Sequence, residues 1–363
     1  MTLQSASLSP SLSATELVSD PFLAQEVVQW HMRFGRRNMP WQNTLNPYHV
    51  WLSEVMLQQT QVATVHGYFV RFVARFPDVA ALAQASLDDV FCLWSGLGYY
   101  SRAKNLHQCA QYIVQGYDGV FPQTARQLQT LPGIGRSTAS AIASLCFGER
   151  VAILDGNVRR VLARFIGFDA DLAQAANERR LWDLATHQLP AEGEDLPDRM
   201  AHYTQGMMDL GATVCHARRP DCGACPLAQR CVACKLGQPD HYPVKTRKIK
   251  RGQQSIWLLY AATHDGYVWL RQRPAPGVWA GLYCLAWFDD MHALQSALVE
   301  HGSPSLHIEP AFRHVLTHKD LDLHPVRVQL ARDVKVTADG AWFEPERWQG
   351  LGMPAPIKKM LNV

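Results

Sequence analysis

Four cysteines in the middle of the chain have the spacing of a metal-binding loop. Cys215, Cys222, Cys225 and Cys231 fall within seventeen residues in the pattern C-x6-C-x2-C-x5-C. Short loops can bring four thiolates together at little entropic cost, so the spacing predicts one site for a metal ion or an iron–sulfur cluster. A zinc ribbon usually separates its cysteine pairs by about 15 to 20 residues, which favours the cluster. Cys234 is a fifth candidate ligand that spacing alone leaves open.

A single glutamate, Glu54, interrupts the apolar helical segment "VWLSEVML", which the uncharged Gln58, Gln59 and Gln61 then follow. One interpretation is a partly exposed glutamate on the flank of a core helix. The other is a desolvated carboxyl group whose raised pKa makes it available as a general acid. The segment alone does not decide between them.

A second acidic residue, Asp155, precedes the amphipathic helical segment "NVRRVLARF". There its carboxylate can accept N–H bonds from the first turn, and N-capping alone would explain it. A buried capping aspartate is also a fixed negative charge that could stabilise a developing cation. Asn157 can donate or accept a hydrogen bond beside it, or simply serve the turn.

The segment "LPGIGRSTA", residues 131–139, lies between two predicted helices at 124–130 and 137–147. Gly133 and Gly135 flank Ile134, which allows a tight turn that leaves backbone N–H groups uncovered at a helix N-terminus. Such a turn binds a phosphate of the DNA backbone without reading sequence. The alternative is a plain interhelix turn.

Glu54 and Asp155 together suggest one reaction. A protonated carboxyl group and an ionised one on opposite sides of a cleft divide the work of breaking an N-glycosidic bond. The acid protonates the leaving base and the anion stabilises the oxocarbenium sugar. A base in a duplex must first be flipped out, and side chains such as Gln59 and Tyr99 are suited to fill the gap.

The elements that must position these residues belong to two kinds of structure. The chain has 363 residues, 47% hydrophobic and 18% charged, with a formal net charge of +3, so it is globular and its total charge neither requires nor excludes nucleic acid. Helical periodicity runs from Asp20 for about two hundred residues, and alternating, strand-like segments such as "SIWLLYAA", "YVWLRQR" and "PVRVQLARDVKV" follow Ser255. One amphipathic helix is expected from about Asp290 to Glu300.

The domain prediction is therefore a mobile leader at 1–20, a helical domain with the cysteine cluster at 21–234, a basic linker at 235–254 and an α+β domain at 255–363. No secretory or mitochondrial leader and no membrane span is visible. Nine cysteines, an odd number, favour reduced thiols, and a cytoplasmic location is expected.

Five stretches together resemble the adenine DNA glycosylases of the MutY family, within the helix-hairpin-helix superfamily: "WLSEVMLQQTQV", "GLGYYSRAKNLH", "LPGIGRSTA", "ILDGNVRRVLAR" and the four-cysteine spacing. The resemblance implies a six-helix barrel module beside a cluster-bearing helical module. It implies a bacterial enzyme, associated with the nucleoid when it acts on double-stranded DNA, that removes adenine mispaired with 8-oxoguanine or guanine.

The resemblance also assigns roles. Glu54 would protonate adenine, and Asp155, with Asn157 nearby, would stabilise the oxocarbenium ion. The four cysteines would hold a [4Fe-4S] cluster and leave Cys234 outside. Trp41 and Gln205 would line the adenine pocket. The residues expected at the DNA or the substrate are Trp41, Gln58, Gln59, Leu97, Tyr99, Gly133, Ile134, Gly135, Ser137, Gln205, Leu316, Thr317 and His318.

Ser137 separates two subfamilies. Related bifunctional enzymes that resemble endonuclease III place a lysine nucleophile two residues after the second glycine of the hairpin, where this chain has Ser137. A serine lacks the amine needed for a Schiff base. We therefore expect a monofunctional glycosylase.

The C-terminal domain resembles the Nudix-like domain of the family. Nudix hydrolysis needs a glutamate-rich helix to hold magnesium, but residues 277–300 offer only Asp289, Asp290 and Glu300, so no hydrolysis is expected. The family reads 8-oxoguanine with a Phe-Ser-His hairpin tip, and this chain has Leu316, Thr317 and His318 there. Thr keeps the hydroxyl and Leu keeps an apolar wedge, which predicts that recognition survives; the alternative is that His318 is an ordinary loop histidine.

Two alternatives stay open at this point. The chain could be a helix-hairpin-helix glycosylase for thymine mispairs or oxidised pyrimidines, but Glu54 and the absence of lysine at 137 speak against it. It could be a non-catalytic, cluster-bearing DNA-binding or redox-sensing protein, against which both Glu54 and Asp155 speak. We expect a monomer, and the sequence leaves contacts with a sliding clamp or mismatch-repair proteins undetermined.

Overall fold

A computed structural model of the chain describes residues 21–246 and 250–361. The leader predicted at 1–20 lies outside the described residues. Within 21–246 the regular elements are helical, which confirms the all-α prediction for this part of the chain. The α-helices there are α1 (Phe22–Phe34), α2 (Pro47–Leu57), α3 (Val62–Arg75), α4 (Val79–Gln84), α5 (Leu87–Trp94), α6 (Ser101–Tyr117), α7 (Ala125–Leu128), α8 (Arg136–Phe147), α9 (Gly156–Ile166), α10 (Ala175–His187), α11 (Leu196–Thr213) and α12 (Val232–Lys235).

The described residues from 250 to 361 form a mixed sheet with three α-helices. The strands are β1 (Gly252–Ala262), β2 (Val268–Gln272), β3 (Tyr283–Cys284), β4 (Ala286–Phe288), β5 (His307–Ile308), β6 (Phe312–Val315), β7 (Lys319–Gln329) and β8 (Gly340–Phe343). The helices are α13 (Met291–Ser296), α14 (Pro345–Gln349) and α15 (Ala355–Leu361). This confirms the α+β prediction.

The helix predicted from Asp290 to Glu300 is shorter than expected. Asp290 caps α13 by accepting from the Ala293 N–H at 2.7 Å, but the helix ends at Ser296. The Leu298 N–H bonds to the Gln295 carbonyl, three residues back rather than four, and a short 3-10 turn at Val299–His301 follows. Three-residue bonds tighten the chain and prevent the α-helix from continuing.

The sheet is organised around its two longest strands. β1 and β7 pair in parallel along their whole length, from Gly252 opposite Lys319 to Ala262 opposite Gln329. The predicted strand "PVRVQLARDVKV" therefore stops at Gln329, because β1 ends at Ala262 and offers no partner beyond it. Apolar side chains fill both faces of the sheet and form two separate cores.

Contacts divide the described residues into two units. The first contains the described residues of Met1–Trp51, Pro122–Thr130 and Ile134–Arg247. The second contains those of Leu52–Phe121, Leu131–Gly133 and Lys248–Val363. Helices α3 to α6 thus belong to the same unit as the sheet.

In the first unit the long helix α11 is central, because it contacts α1, α8 and α9. A stretch of the predicted linker also belongs there, since the Leu172 N–H donates to the Val244 carbonyl at 3.0 Å. In the second unit α6 contacts α4 and α5. The loop before α6 reaches the C-terminal part of the chain, where the Tyr100 hydroxyl and the Ser95 hydroxyl each donate to the Met353 carbonyl at 2.9 Å.

None of the helices in the described part of the chain combines the length and hydropathy that a membrane crossing requires.

Candidate functional site

Glu54 lies on a largely buried segment of α2. Every residue from Val50 to Met56 is buried except Glu54, which is partly exposed. This segment has no solvated face, so the carboxyl group of Glu54 lies at the one position where solvent or a ligand can reach it. Beyond the end of α2, Gln58 and Gln59 are exposed, and Gln59 has a left-handed backbone with φ of 57°. A non-glycine residue in that region costs free energy and marks a constrained turn.

The loop "GLGYY" before α6 has the same kind of constraint. Tyr99 has a φ of 48° and is 42% exposed, whereas Leu97 is only 5% exposed. Of the three residues expected in the opened duplex, Gln59 and Tyr99 are exposed and Leu97 is buried.

Arg102 joins these two turns. One terminal nitrogen of its guanidinium donates to the carbonyls of Val55, Met56 and Gln58 at 2.7 to 2.9 Å. The other donates to the carbonyls of Leu97 and Gly98 at 3.0 and 3.1 Å and to the Thr60 hydroxyl at 3.2 Å. The side chain is 92% buried, and these partners are neutral oxygens. Burial lowers the pKa of Arg102 to about 10, so it stays charged at neutral pH. One buried cation thus fixes the end of α2 to the loop that carries Tyr99.

The hairpin tip between β6 and β7 meets that loop. The Leu316 N–H donates to the Lys319 carbonyl at 2.8 Å, which closes the tip, and His318 is exposed. The hydroxyls of Tyr99 and Thr317 lie 2.7 Å apart, within hydrogen-bond distance. The structure therefore brings together residues from two motifs that are more than two hundred positions apart in the chain.

The glycine turn between α7 and α8 has the expected helix–turn–helix form. Gly133 has a φ of 75°, and a Cβ there would lie 2.6 Å from the Cβ of Asn105, so both backbone conformation and space require glycine. Gly135 is the exposed N-cap of α8, while Ile134 is buried. The hydroxyl of Ser137 accepts from the Leu154 N–H at 3.4 Å, next to the start of the Asp155 segment.

Asp155 is the N-cap of α9, as predicted. Its Oδ1 accepts from the Val158 N–H at 2.7 Å. Burial raises the pKa of Asp155, and its bonds with the Val158 and Asn157 N–H groups oppose that increase. The residue as a whole is partly exposed, although its carboxylate is largely desolvated.

Helix α9, which Asp155 caps, is hydrogen-bonded directly to the cysteine loop. Arg160 donates to the Asn157 Oδ1 at 2.9 Å and to the carbonyl of Cys215 at 2.8 Å. One turn further, Arg164 donates to the sulfur of Cys215 at 3.3 Å and to the carbonyl of His216 at 2.6 Å. Because the Arg160 guanidinium can only donate, the group of Asn157 that it binds must be the amide oxygen. The remaining hydrogen-bonding group of that amide is its nitrogen.

The four predicted cysteine ligands and Cys234 line one cavity. Among the described residues, no group of three or more His, Cys, Asp or Glu side chains is arranged around a single metal-ion position. The cysteines instead face each other across the cavity, whose walls also include Val161, Phe165 and Leu227.

The donor set fits an iron–sulfur cluster. Burial raises the pKa of Cys225 to about 12, and burial together with the neighbouring Cys234 thiol raises that of Cys222 to about 11. Uncharged thiols are thus favoured without iron, and metal binding must release their protons. The Arg164 guanidinium beside Cys215 would stabilise the negative charge of a cluster bound there.

Gln205 is held by a buried carboxylate. Asp209 is fully buried and forms a salt bridge with Arg36 at 2.6 Å, and it also accepts from the Gln205 Nε2 at 2.9 Å. Since an ionised carboxylate only accepts hydrogen bonds, Gln205 must present its nitrogen to Asp209 and keep its Oε1 as an acceptor elsewhere. Trp41, the other residue expected in the adenine pocket, is 8% exposed.

The sequence analysis missed three residues that position the site: Arg102, Arg164 and Asp209. Each is a charged residue at an apolar position of a helical segment, the same signal that singled out Glu54. Glu54 and the turns near it belong to the second unit, whereas Asp155, Gln205 and the cysteines belong to the first.

Family models match three parts of the chain. Residues 52–186 match the HhH-GPD superfamily of base excision DNA repair proteins, and residues 215–231 match the iron–sulfur binding domain of endonuclease III. Residues 257–363 match the NUDIX domain. The fold and the site therefore define a base excision DNA repair glycosylase of the helix-hairpin-helix class with a [4Fe-4S] cofactor, and the cofactor prediction is confirmed.

Named relatives identify the family within this class of glycosylases. The adenine DNA glycosylase of Buchnera aphidicola from Acyrthosiphon pisum is 35% identical over 347 residues, which cover 93% of this chain and 96% of the relative. The human adenine DNA glycosylase is 43% identical over 207 residues, 54% of this chain and 37% of the relative. A thermostable thymine-DNA glycosylase shares the fold, with a TM-score of 0.51, 23% identity, and coverage of 59% of this chain and 95% of that one. The chain belongs to the MutY family of adenine DNA glycosylases.

Proposed function

We propose that the chain is a monofunctional DNA glycosylase that hydrolyses the N-glycosidic bond of adenine mispaired with 8-oxoguanine or guanine in double-stranded DNA. It acts as a monomer on the DNA of the bacterial nucleoid. The observation that carries the proposal is the placement of Glu54, the single partly exposed residue between Val50 and Met56, in a chain of this family.

In the proposed mechanism Glu54 protonates the flipped adenine, so that the base leaves as a neutral molecule. Asp155 remains ionised and stabilises the positive charge that develops on the sugar. Its bond from the Val158 N–H fixes the carboxylate, and its desolvation strengthens the interaction with a cation. Asn157, whose oxygen is bound by Arg160, offers an N–H group to the sugar or to the attacking water.

Gln205 is suited to recognise adenine through its exocyclic amine. With its nitrogen bound to Asp209, the amide presents an acceptor, which pairs with the amino group of adenine and opposes the O6 acceptor of guanine. Trp41 supplies an apolar wall to the same pocket.

DNA contacts follow from the exposed turns. Gly133, Ile134, Gly135 and Ser137 form the turn that receives a phosphate at the N-terminus of α8. The glutamines at 58 and 59, Leu97 and Tyr99 fill the space that the flipped nucleotide leaves, with Leu97 supporting the projecting Tyr99 from below.

The hairpin tip reads the partner of the adenine. Thr317 replaces the serine that the family uses, and its hydroxyl already lies beside that of Tyr99. We propose that these two hydroxyls, with Leu316 as a wedge and His318 facing the DNA, select 8-oxoguanine opposite adenine.

When bound, the cluster cross-links the loop at 215–231 that Arg160 and Arg164 attach to α9. Its role is therefore to hold the helix whose first turn binds Asp155. The chain's own residues carry out the steps of base removal.

The test is single-turnover release of adenine from duplexes that contain A:8-oxoguanine, A:G or A:T pairs, with a T:G duplex alongside. We expect breaks at the mispaired adenine only after hot alkali, and no covalent adduct with borohydride, because Ser137 cannot form a Schiff base. Strand cleavage without alkali would contradict the monofunctional assignment. Cutting of the T:G duplex with no release of adenine would move the assignment to a thymine glycosylase.

A further inference from the structure

The cluster cavity is lined by five thiols rather than four. Cys215, Cys222, Cys225 and Cys231 come from the matched iron–sulfur motif, which ends at residue 231. Cys234 lies on the short helix α12, three residues later, and lines the same cavity. The fifth thiol is therefore at the site of the cofactor although it lies outside the motif.

Cys234 lies near two of the four ligands. Its side chain is next to that of Cys222, and its backbone N–H is next to the sulfur of Cys231. Both of these ligands line the same cavity as Cys234.

Cys222 is also the ligand in the most exposed surroundings. Asp221, Gly223 and Ala224, which flank it, are all exposed, and Cys222 itself begins a single 3-10 turn. Short exposed turns open more readily than packed helices, so this ligand is the one most open to solvent, oxidants and chelators.

We propose that Cys234 is a reserve ligand of the cluster that takes the place of Cys222 on iron. The Cys234 thiol loses its proton and its sulfur forms the iron–sulfur bond, while the departing Cys222 sulfur takes up a proton. One thiolate replaces another, so no electron is transferred and the charge of the site does not change. Because Cys222 and Cys234 line the same cavity, the exchange requires side-chain rotation and no new loop path.

The first test measures iron and acid-labile sulfide in the reconstituted full-length protein. The variants are Cys222→Ser, Cys225→Ser and each of these combined with Cys234→Ser. We expect Cys222→Ser to retain most of its cluster, and the added Cys234→Ser change to lower the bound iron by about 10-fold or more. Cys225→Ser, the matched control, loses its cluster whether or not Cys234 is present. Equal loss of iron in Cys222→Ser and in the double variant overturns the proposal.

A second test leaves the four motif ligands intact and so does not depend on whether the Cys222 variants fold. Wild type and Cys234→Ser are loaded fully, and the loss of visible cluster absorbance is followed in excess chelator. We expect the same initial loading but several-fold faster loss in Cys234→Ser, because a transiently released Cys222 has no substitute. Identical loss rates would overturn the proposal, as would a loading defect in Cys234→Ser, which would make Cys234 a structural residue.

Discussion

Replacing Arg102 should destabilise the protein and disturb the two turns that face DNA. In Arg102→Met, the buried carbonyls of Val55, Met56 and Leu97 lose their donor. An unsatisfied buried acceptor costs about 1 to 3 kcal/mol. Water can reach the partly buried carbonyls of Gln58 and Gly98, so those contribute less.

Summed over the three buried carbonyls and reduced for relaxation, the free energy of unfolding should fall by about 3 to 5 kcal/mol. Release of adenine per folded molecule should also fall, by roughly 10- to 100-fold, because Gln59 and Tyr99 lose their fixed positions. Arg102→Lys should lie between wild type and Arg102→Met in both unfolding free energy and adenine release, since a single ammonium group cannot reach both turns.

The assays are urea unfolding and single-turnover release from an A:8-oxoguanine duplex. Lys104→Met is the matched control, because it removes a cation of the same helix at an exposed position. A free energy of unfolding for Arg102→Met within about 0.5 kcal/mol of wild type would refute the claim that this side chain holds the turns together.

Four further predictions concern the first unit. Burial raises the pKa of Asp155 above the ordinary value of 3.8. The rate of adenine release should therefore fall as the pH drops through a pKa above 3.8. A loss of activity only at or below pH 3.8 would contradict this prediction. Asp155→Asn keeps a capping acceptor and removes a charge that is costly to bury, so release should fall about 10²- to 10³-fold with no loss of stability at neutral pH. Asp209→Asn should lower the free energy of unfolding by about 3 to 5 kcal/mol and reduce discrimination against guanine. Asp198→Asn, on the same helix, should change neither property. Arg164→Met should speed cluster loss in chelator, and an unchanged rate would show that its bond to Cys215 is not needed.

Much of the fold follows from local patterns. Asp155 was recognised as an N-cap because a carboxylate before an amphipathic helix has a local partner, the N–H three residues later. The glycine turn was recognisable because Gly133 has a backbone conformation that few other residues adopt. Both features depend on neighbours in sequence.

Long-range contacts were not predictable in the same way. The hydrogen bond between Tyr99 and Thr317 joins two loops whose meeting depends on the contact of the loop before α6 with the C-terminal part of the chain. The grouping of α3 to α6 with the sheet has the same origin, because periodicity within a helix does not say which other element it contacts.

The buried charged residues were only partly predictable from the sequence. Asp209 was visible in the sequence as a single charge among apolar residues, but neither its partners nor those of Arg102 were visible. Leu97 was expected at the DNA because of its motif, and its low exposure was not visible from the sequence.

Single-turnover release of adenine by Glu54→Gln, with duplex binding measured in parallel, tests the central claim most directly. Glutamine has nearly the shape of glutamic acid but no proton to give to the base. The account predicts that release from an A:8-oxoguanine duplex is abolished while binding stays close to that of wild type, because affinity depends mainly on phosphate contacts. Release at the wild-type rate, or an equal loss of release and binding, would contradict the role of Glu54 as the general acid.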